Sequence, residues 1–321
     1  MDVFTKIVDF ENIKKAYKKV MSGRSKFTKE AQEFNLFWYR NLKQIQEELK
    51  SQKYEFSEYY TFTVYEPKKR EIDAPSFRDK IVQHAINNIL IDIYEPTFHP
   101  NSFACIRGKG NQRAVKKLHK ILRRVAKNNK TVYYVKLDVY KFFPSIDKNI
   151  LINIIKRKIK CSLTISIIVK FVFSYFKTGL PIGVVITQLF ANIYLDTVDF
   201  YASKILKIKN YIRYADDIFI ITTSLRYSRI VKTKLQHYIY NRLNMQVGRG
   251  KSFIKITKNG IAGLGHIIFC NKILILYKNY KHILAYFKIL QPSRKDTASF
   301  YSRLGIFKYS SILKKALLKS L

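Results

Sequence analysis

Acidic residues are scarce in this sequence. Only 22 Asp and Glu face 60 Lys and Arg, which leaves a formal net charge of +38 over 321 residues. A folded chain this basic repels itself unless an anionic partner is bound. A genome of low GC content would explain many lysines, but it would not explain the shortage of acids. The charge balance therefore favours a nucleic-acid partner, whose phosphates bind Lys and Arg with release of counterions.

Cysteines and long apolar runs are also scarce. The three cysteines, Cys105, Cys161 and Cys270, lie far apart, which argues against a disulfide framework and a zinc site and indicates a reducing compartment. No apolar run reaches the ~20 residues that a membrane-spanning helix needs. The first residues do not have the pattern of a signal peptide. We therefore expect a cytoplasmic protein without a membrane partner.

Helical and strand patterns alternate along the chain, which indicates an α/β or α+β fold. With 47% apolar residues the chain can bury a sizeable core, in one large unit or in two to three subdomains. The predicted elements, in chain order, are helices over 1–58, a strand over 59–64 with a basic hairpin turn, a helix over 79–90, a buried strand over 131–138, helices over 150–176 and 188–200, a hairpin over 211–222, and a basic helical segment after 271.

Two acidic sites at predicted strand ends indicate catalysis. Asp138 ends the buried strand, and Asp216 and Asp217 lie at the tip of the hairpin. Adjacent carboxylates raise each other's pKa unless a cation compensates, and magnesium does so with carboxylate and phosphate oxygens. Two such ions ~3.5–4 Å apart activate a 3′-hydroxyl and stabilise a leaving pyrophosphate. The hairpin tip alone leaves an ordinary β-turn open as the alternative.

Five sequence blocks give these aspartates a context. They are a finger-like stretch over 65–85, a basic glycine turn over 102–110, DVYKFF over 138–143, GLPIGVVITQLFAN over 179–192 and YADD over 214–217. In content and order they resemble two finger blocks, the first palm motif, the LPxG…AN motif and the YxDD box of prokaryotic reverse transcriptases. The residues after 271 are too few for the ~100 residues of a typical RNase H or endonuclease domain.

The resemblance implies an α+β right-hand polymerase fold. Such a fold has fingers, a palm with an antiparallel sheet and a small helical thumb. We expect the N-terminal helices and fingers over 1–130, the palm with the catalytic aspartates over 131–270, and the thumb over 271–321.

The resemblance also assigns roles to individual residues. It implies two Mg²⁺ ions, for which Mn²⁺ can substitute. Their ligands would be Asp138, the Val139 carbonyl, Asp216 and Asp217. Lys251 falls where the family places a lysine that protonates pyrophosphate, and a plain phosphate contact is its alternative role. The implied nucleotide-binding residues are Lys69, Arg70, Arg78, Phe143, Ile182, Gly183 and Gln188.

Three of these nucleotide contacts have a stated physical reason. The Arg70 guanidinium fork suits triphosphate oxygens. The Phe143 ring would lie under the incoming sugar and exclude a 2′-hydroxyl, although a core aromatic is the alternative. Ile182 replaces a polar residue that many family members have after Leu-Pro, and it would check a base pair by shape alone.

The implied partners are an RNA template, a DNA or RNA primer and dNTPs. LPIGVVITQ is most similar to the LPIGNLTSQ of diversity-generating retroelement enzymes, which favours a bacterial or phage-encoded member of that class. The departure at Val184, Val185 and Ile186 keeps a second class open, the related phage-defence enzymes that copy a structured noncoding RNA. A small basic accessory protein is a further expected partner. A catalytically silent RNA-binding scaffold is the third alternative, and the intact aspartates argue against it.

Overall fold

The computed structural model describes residues 2–65, 69–248 and 250–277. Within these residues the helices are α1 (Val3–Ile7), α2 (Phe10–Met21), α3 (Lys29–Leu36), α4 (Trp38–Lys50), α5 (Phe77–Tyr94), α6 (Asn111–Lys127), α7 (Lys148–Lys158), α8 (Ser162–Ser174), α9 (Val185–Phe200) and α10 (Leu225–Leu243). The strands are β1 (Tyr60–Val64), β2 (Arg70–Ala74), β3 (Tyr133–Asp138), β4 (Tyr211–Tyr214), β5 (Asp217–Thr222), β6 (Phe253–Ile256), β7 (Ile261–Gly263), β8 (His266–Ile268) and β9 (Ile273–Ile275).

The described residues divide into two compact units that are interleaved in sequence. The first comprises 2–98, 140–198 and 239–246, and the second comprises 99–139, 199–238 and the described residues from 247 onward. These units do not coincide with the predicted subdomains, whose boundaries at 130 and 270 stay a prediction.

Helix α5 is a central element of the first unit. The Ser76 hydroxyl caps it by accepting a hydrogen bond from the Asp79 backbone N–H (3.1 Å). Ile81 and Ala85 on this helix are fully buried. The Asn12 side chain of α2 donates to the Ala85 carbonyl (3.0 Å), which holds α2 along α5. The N-terminal helices end at Lys50, earlier than the predicted limit of 58, because nine residues without regular structure precede β1.

The predicted basic hairpin is present in the first unit. Strands β1 and β2 pair antiparallel, with Tyr60 opposite Ala74 and Val64 opposite Arg70. Part of the predicted turn, 66–68, lies outside the described residues. Lys177 donates to Asp73 of β2 (2.8 Å), and the Tyr175 hydroxyl donates to the same buried carboxylate (2.8 Å). These bonds fix the hairpin to the chain segment that follows α8.

An antiparallel four-stranded sheet forms the centre of the second unit, in the order β4–β5–β3–β6. Helix α6 packs against it, and Leu118 and Leu122 share a buried apolar cluster with Ile212 and Phe219. The 131–138 segment therefore is the buried inner strand that its apolar faces predict, and β3 ends at Asp138. This mixture of helices with antiparallel sheets is consistent with the predicted α+β polymerase fold.

A second, three-stranded sheet consists of β7, β8 and β9. Ile273 of β9 pairs with Ile268 and packs into the same apolar cluster. The predicted helical structure after residue 271 is therefore wrong for Ile273–Ile275, where β-branched residues pair with a neighbouring strand. The rest of the predicted thumb, 278–321, lies outside the described residues. Among the described helices, none combines the length and the apolar character that crossing a membrane requires.

Candidate active site

Three aspartates meet at one end of the four-stranded sheet. Asp138 is the last residue of β3 and pairs directly with Asp217, the first residue of β5. Asp216 lies in the two-residue turn between β4 and β5, next to that pair. Side chains of directly opposed residues on antiparallel strands have Cβ atoms about 4.5–5.5 Å apart. The strand register therefore brings the two predicted acidic sites together.

The carboxyl groups in this site destabilise one another's charge. Burial raises the pKa of Asp216 to about 6, and the neighbouring Asp217 and Asp138 act in the same direction. Burial also raises the pKa of Asp217, although the Lys136 ammonium opposes that shift. A site with this charge pattern favours a cation.

Two lysines accompany the aspartates. Lys136 of β3 places its Nζ 2.9 Å from Asp217 Oδ1, and the same ammonium lies 5.5 Å from the centroid of the Phe219 ring. Lys251 places its Nζ 3.6 Å from Asp138 Oδ2, and 64% of its side chain is exposed. The sequence predicted Lys251 in the site but gave no role to Lys136. Its position two residues before Asp138, on the same face of β3, is the signal that could have found it.

The segment before β6 shapes the space around Asp138. The Gly248 N–H donates to the Asp138 carbonyl (2.7 Å), and the Ser252 hydroxyl accepts from the Asp138 N–H (3.0 Å). A Cβ atom on Gly248 would lie 3.2 Å from Asp138 Oδ2, so a larger residue would crowd the carboxylate. Val139, whose carbonyl was a predicted ligand, forms a bridge with Val247. Sequence reasoning missed Gly248 and Ser252.

The donor set suits a hard divalent cation that substrate oxygens complete. Asp217 Oδ1 is buried and accepts no well-aligned hydrogen bond among the described residues, although Lys136 neutralises it at ion-pair distance. Asp138 and Asp216 supply further carboxylate oxygens, which Mg²⁺ and Mn²⁺ prefer. Within the part of the chain that the structure describes, no group of three or more His, Cys, Asp or Glu side chains is arranged to hold a metal ion. Such an open set is expected where phosphates and water supply the remaining ligands.

Three predicted nucleotide-binding residues lie on connected loops of the first unit. The Leu180 N–H donates to the Phe143 carbonyl (3.0 Å), which ties the LPIG loop (180–183) to the first palm motif (138–143). The Asp73 N–H donates to the Ile182 carbonyl (3.3 Å), and a Cβ atom on Gly183 would lie 2.8 Å from Ile72 Cγ2. The β2 strand, the LPIG loop and Phe143 are therefore neighbours.

The remaining predicted contacts have different surroundings. Lys69 and Arg70 are exposed at the start of β2, and Gln188 is exposed on α9. Arg78 instead forms an ion pair with Glu48 and lies over the Tyr54 ring, 5.2 Å from its centroid. The structure therefore gives Arg78 a packing role within the first unit that the sequence did not predict.

Comparison with known proteins places these features in a family. The family model "Reverse transcriptase (RNA-dependent DNA polymerase)" matches residues 65–268. The group II intron-encoded protein LtrA of Lactococcus lactis subsp. cremoris is 26% identical over 272 residues, covering 63% of this chain and 44% of the relative. The "uncharacterized 91 kDa protein in cob intron" of Schizosaccharomyces pombe is 30% identical over 141 residues, covering 41% and 17%.

Solved structures of low sequence identity share the fold. Apo telomerase from Candida tropicalis superposes with a TM-score of 0.52 at 13% identity, covering 67% of this chain and 48% of that one. This chain spans less than half the length of the curated relatives described above. Because the family model covers more than half of this chain and contains all three aspartates, the chain belongs to the reverse transcriptase family.

Proposed function

We propose that this chain is an RNA-directed DNA polymerase that extends a primer on an RNA template. The observation that carries the proposal is the register pairing of Asp138 with Asp217 beside the Asp216 turn. Two carboxylate-bearing strand ends at one edge of a sheet suit two-metal phosphoryl transfer. Family membership supports the same chemistry, since reverse transcriptases use divalent metal ions.

The aspartates would hold the metal ions, with Mg²⁺ as the proposed ion and Mn²⁺ as its substitute. Bound there, such ions would supply the charge needed to activate the primer 3′-hydroxyl and to stabilise the leaving pyrophosphate. Asp138 and Asp217 would hold them from adjacent strands, and Asp216 would do so from the turn. The exposed Lys251 ammonium lies 3.6 Å from Asp138. It either donates a proton to the pyrophosphate or contacts its oxygens as a cation. The Lys136 ammonium, 2.9 Å from Asp217 Oδ1, favours the ionised form of that carboxyl group and so opposes the effect of burial on its pKa.

Phe143, the LPIG segment and the start of β2 would select the nucleotide. Phe143 is half-buried in a loop that the LPIG segment holds through the Leu180 N–H, so its ring has a fixed support from which to exclude a 2′-hydroxyl. The apolar Ile182 side chain contacts the new base pair without hydrogen bonds, so it checks only the shape of that pair. Gly183 and Gln188 belong to the same segment. Lys69 and Arg70 hold the triphosphate from the exposed start of β2.

The proposed biological role is DNA synthesis in a diversity-generating retroelement of a bacterium or phage. The LPIG segment supports it, and a low-fidelity enzyme fits an apolar residue at position 182. The second candidate is phage defence, in which the enzyme copies a structured noncoding RNA in the cytoplasm. The sequence 184–186 favours that alternative because it departs from the retroelement pattern. A small basic accessory protein fits the first role, and a co-purifying noncoding RNA fits the second.

A primer-extension assay tests the polymerase proposal. The purified chain is given an annealed DNA primer, an RNA template of defined sequence, dNTPs and Mg²⁺, with Mn²⁺ in a parallel reaction. We expect extension of the primer to the template end, which stops when EDTA is added. The proposal fails if neither metal supports extension although the chain binds the primer–template.

A further inference from the structure

A fully buried ion pair lies next to the turn between β4 and β5 that contains Asp216. The Arg213 and Asp199 side chains are both 0% exposed, and their Nη2 and Oδ2 atoms lie 2.7 Å apart. Arg213 Nε donates to both Asp199 oxygens, at 2.8 and 3.0 Å. The Tyr211 hydroxyl donates to the same carboxylate at 2.6 Å. All these residues belong to the second unit, which also contains the three aspartates of the metal site.

One arm of the Arg213 guanidinium faces the turn itself. Its Nη1 donates to the Ala215 carbonyl at 3.1 Å. That carbonyl belongs to the peptide group that joins Ala215 to Asp216. The backbone of Arg213 is fixed as well, since its N–H donates to the Asn101 carbonyl and its carbonyl accepts from the Phe103 N–H, both at 3.0 Å. The backbone from which the guanidinium extends to the turn is therefore held in place.

The turn needs such a support because of its conformation. Ala215 has a φ of +53°, in the left-handed region that residues with a side chain rarely adopt. It is the first of two central residues in a hairpin turn, a position that favours glycine when φ is positive. With alanine there, a hydrogen bond to the Ala215 carbonyl selects one orientation of the peptide that leads into Asp216.

Stability alone does not explain why this ion pair is present. Removing two charges from water costs about as much as their attraction returns, and apolar replacements of buried ion pairs are often neutral or stabilising. What an Arg–carboxylate pair does offer is a planar fork with a fixed geometry. Here that geometry directs Nη1 at the turn that contains Asp216, a proposed metal ligand.

We propose that Arg213 is a positioning residue, held by Asp199, that fixes the Ala215 carbonyl and so presents the Asp216 carboxylate to the metal site. This inference rests on the proposed polymerase function. Loss of the contact lets the turn reorient. Metal binding then weakens and the catalytic step slows, whereas binding of primer–template and dNTP changes little.

The test compares the parent with the double variant Asp199→Asn/Arg213→Met. This variant removes both charges of the Arg213–Asp199 pair together and keeps an acceptor for Tyr211. We expect kcat to fall at least about tenfold, with KM for dNTP and Kd for primer–template within about threefold. Mn²⁺ binding, measured by electron paramagnetic resonance without substrate, should weaken at least about fivefold. The control Ile121→Val lowers stability in the same unit's apolar cluster and should leave kcat and Mn²⁺ binding at parental values.

A second variant decides the matter if the double variant does not fold. Arg213→Lys keeps a cation beside Asp199 but lacks the planar fork that serves the carboxylate and the Ala215 carbonyl together. We expect it to lose at least about fivefold in kcat and in Mn²⁺ affinity. A folded double or Lys variant with parental kcat and parental Mn²⁺ affinity would overturn the inference. An inactive parent would instead count against the polymerase proposal, and the Mn²⁺ measurement would still test Arg213.

Discussion

At the scale of single residues, burial moves the pKa of Asp216 away from its ordinary value. Burial raises its pKa from 3.8 to about 6, with the charges of Asp217 and Asp138 acting in the same direction. Because the native pKa lies above the unfolded value, this group favours the folded state only while it is protonated. That contribution is present at low pH and is lost as the pH rises through about 6.

We therefore predict that the metal-free protein gains stability at neutral pH when Asp216 is replaced by asparagine. The expected gain is roughly 2 kcal/mol at pH 8 and much less at pH 4, because the parent then carries the proton. Urea denaturation in EDTA at both pH values measures it. An equal effect of Asp216→Asn at the two pH values would show that burial does not raise the pKa of this group.

Phe143 tests the proposed selection of deoxyribonucleotides. Replacing its ring by valine opens space for a 2′-hydroxyl, so Phe143→Val should reduce the preference for dNTP over rNTP by about tenfold or more. Single-nucleotide incorporation kinetics with matched dNTP and rNTP measure the ratio. The control is Tyr140→Val, in the same loop with half of its side chain exposed, which should keep the parental preference. Parental discrimination in Phe143→Val would assign the ring to packing.

Ile182 tests the proposed low fidelity. A glutamine at this position could hydrogen-bond to the base pair, and one such contact contributes roughly 1 kcal/mol, or several-fold in discrimination. Ile182→Gln should therefore lower misincorporation opposite template adenine, whereas Ile182→Val should leave it unchanged. Sequencing of products from a defined RNA template gives both error rates. If the parent already copies template adenine accurately, phage defence becomes the better supported of the two biological roles.

At the scale of elements, the sequence predicted the strands that hold the aspartates and most helices. The hairpin around Asp216 and the buried β3 strand follow from local patterns of apolar residues. Strand β9 does not, because a three-residue apolar run has no measurable period and pairs only through tertiary contacts. The Lys136–Asp217 pair depends on strand register, and the Arg213–Asp199 pair joins β4 to α9. Both pairings join residues that are far apart in the sequence, so the sequence named the three aspartates and Lys251 but not Lys136 or the Arg213–Asp199 pair.

Gly179, where the LPIG loop meets the first palm motif, should not tolerate a larger residue. Gly179 has a φ of +73°, and a Cβ atom there would lie 2.1 Å from the Phe143 carbonyl oxygen and 2.5 Å from Pro144 Cα. Both neighbours are backbone and cannot rotate away. Gly179→Ala should therefore cost about 3 kcal/mol or more in unfolding free energy, since a clash adds to the strain of positive φ.

Gly250 provides the matched control for that substitution. It has a φ of +76°, but a Cβ atom there would meet nothing within 4 Å among the described residues. Gly250→Ala should thus cost only the backbone strain, about 1 kcal/mol. Urea denaturation of the two variants isolates the clash, and equal losses of stability would contradict the close approach of the two loops.

At the scale of the whole molecule, the residues that give the net charge differ from the residues that carry the proposed catalysis. The net charge of +38 comes from 60 basic residues spread along the chain, whereas the catalytic proposal depends on three carboxylates. Phosphate contacts by many Lys and Arg supply most of the affinity for nucleic acid, and that affinity falls steeply with salt. Removing two carboxylates does not weaken such contacts, because these groups repel phosphate in the absence of metal. Binding and catalysis should therefore respond differently to mutation of the site.

The measurement that tests the central claim most directly is primer extension by Asp216→Ala/Asp217→Ala beside RNA binding by the same preparation. We predict that DNA synthesis falls at least about a thousandfold, since no remaining pair of carboxylates can hold the two ions. The Kd for RNA at fixed salt should stay within about threefold of the parent. DNA synthesis at the parental rate in this double variant would contradict the assignment of these aspartates and, with it, the proposed polymerase mechanism.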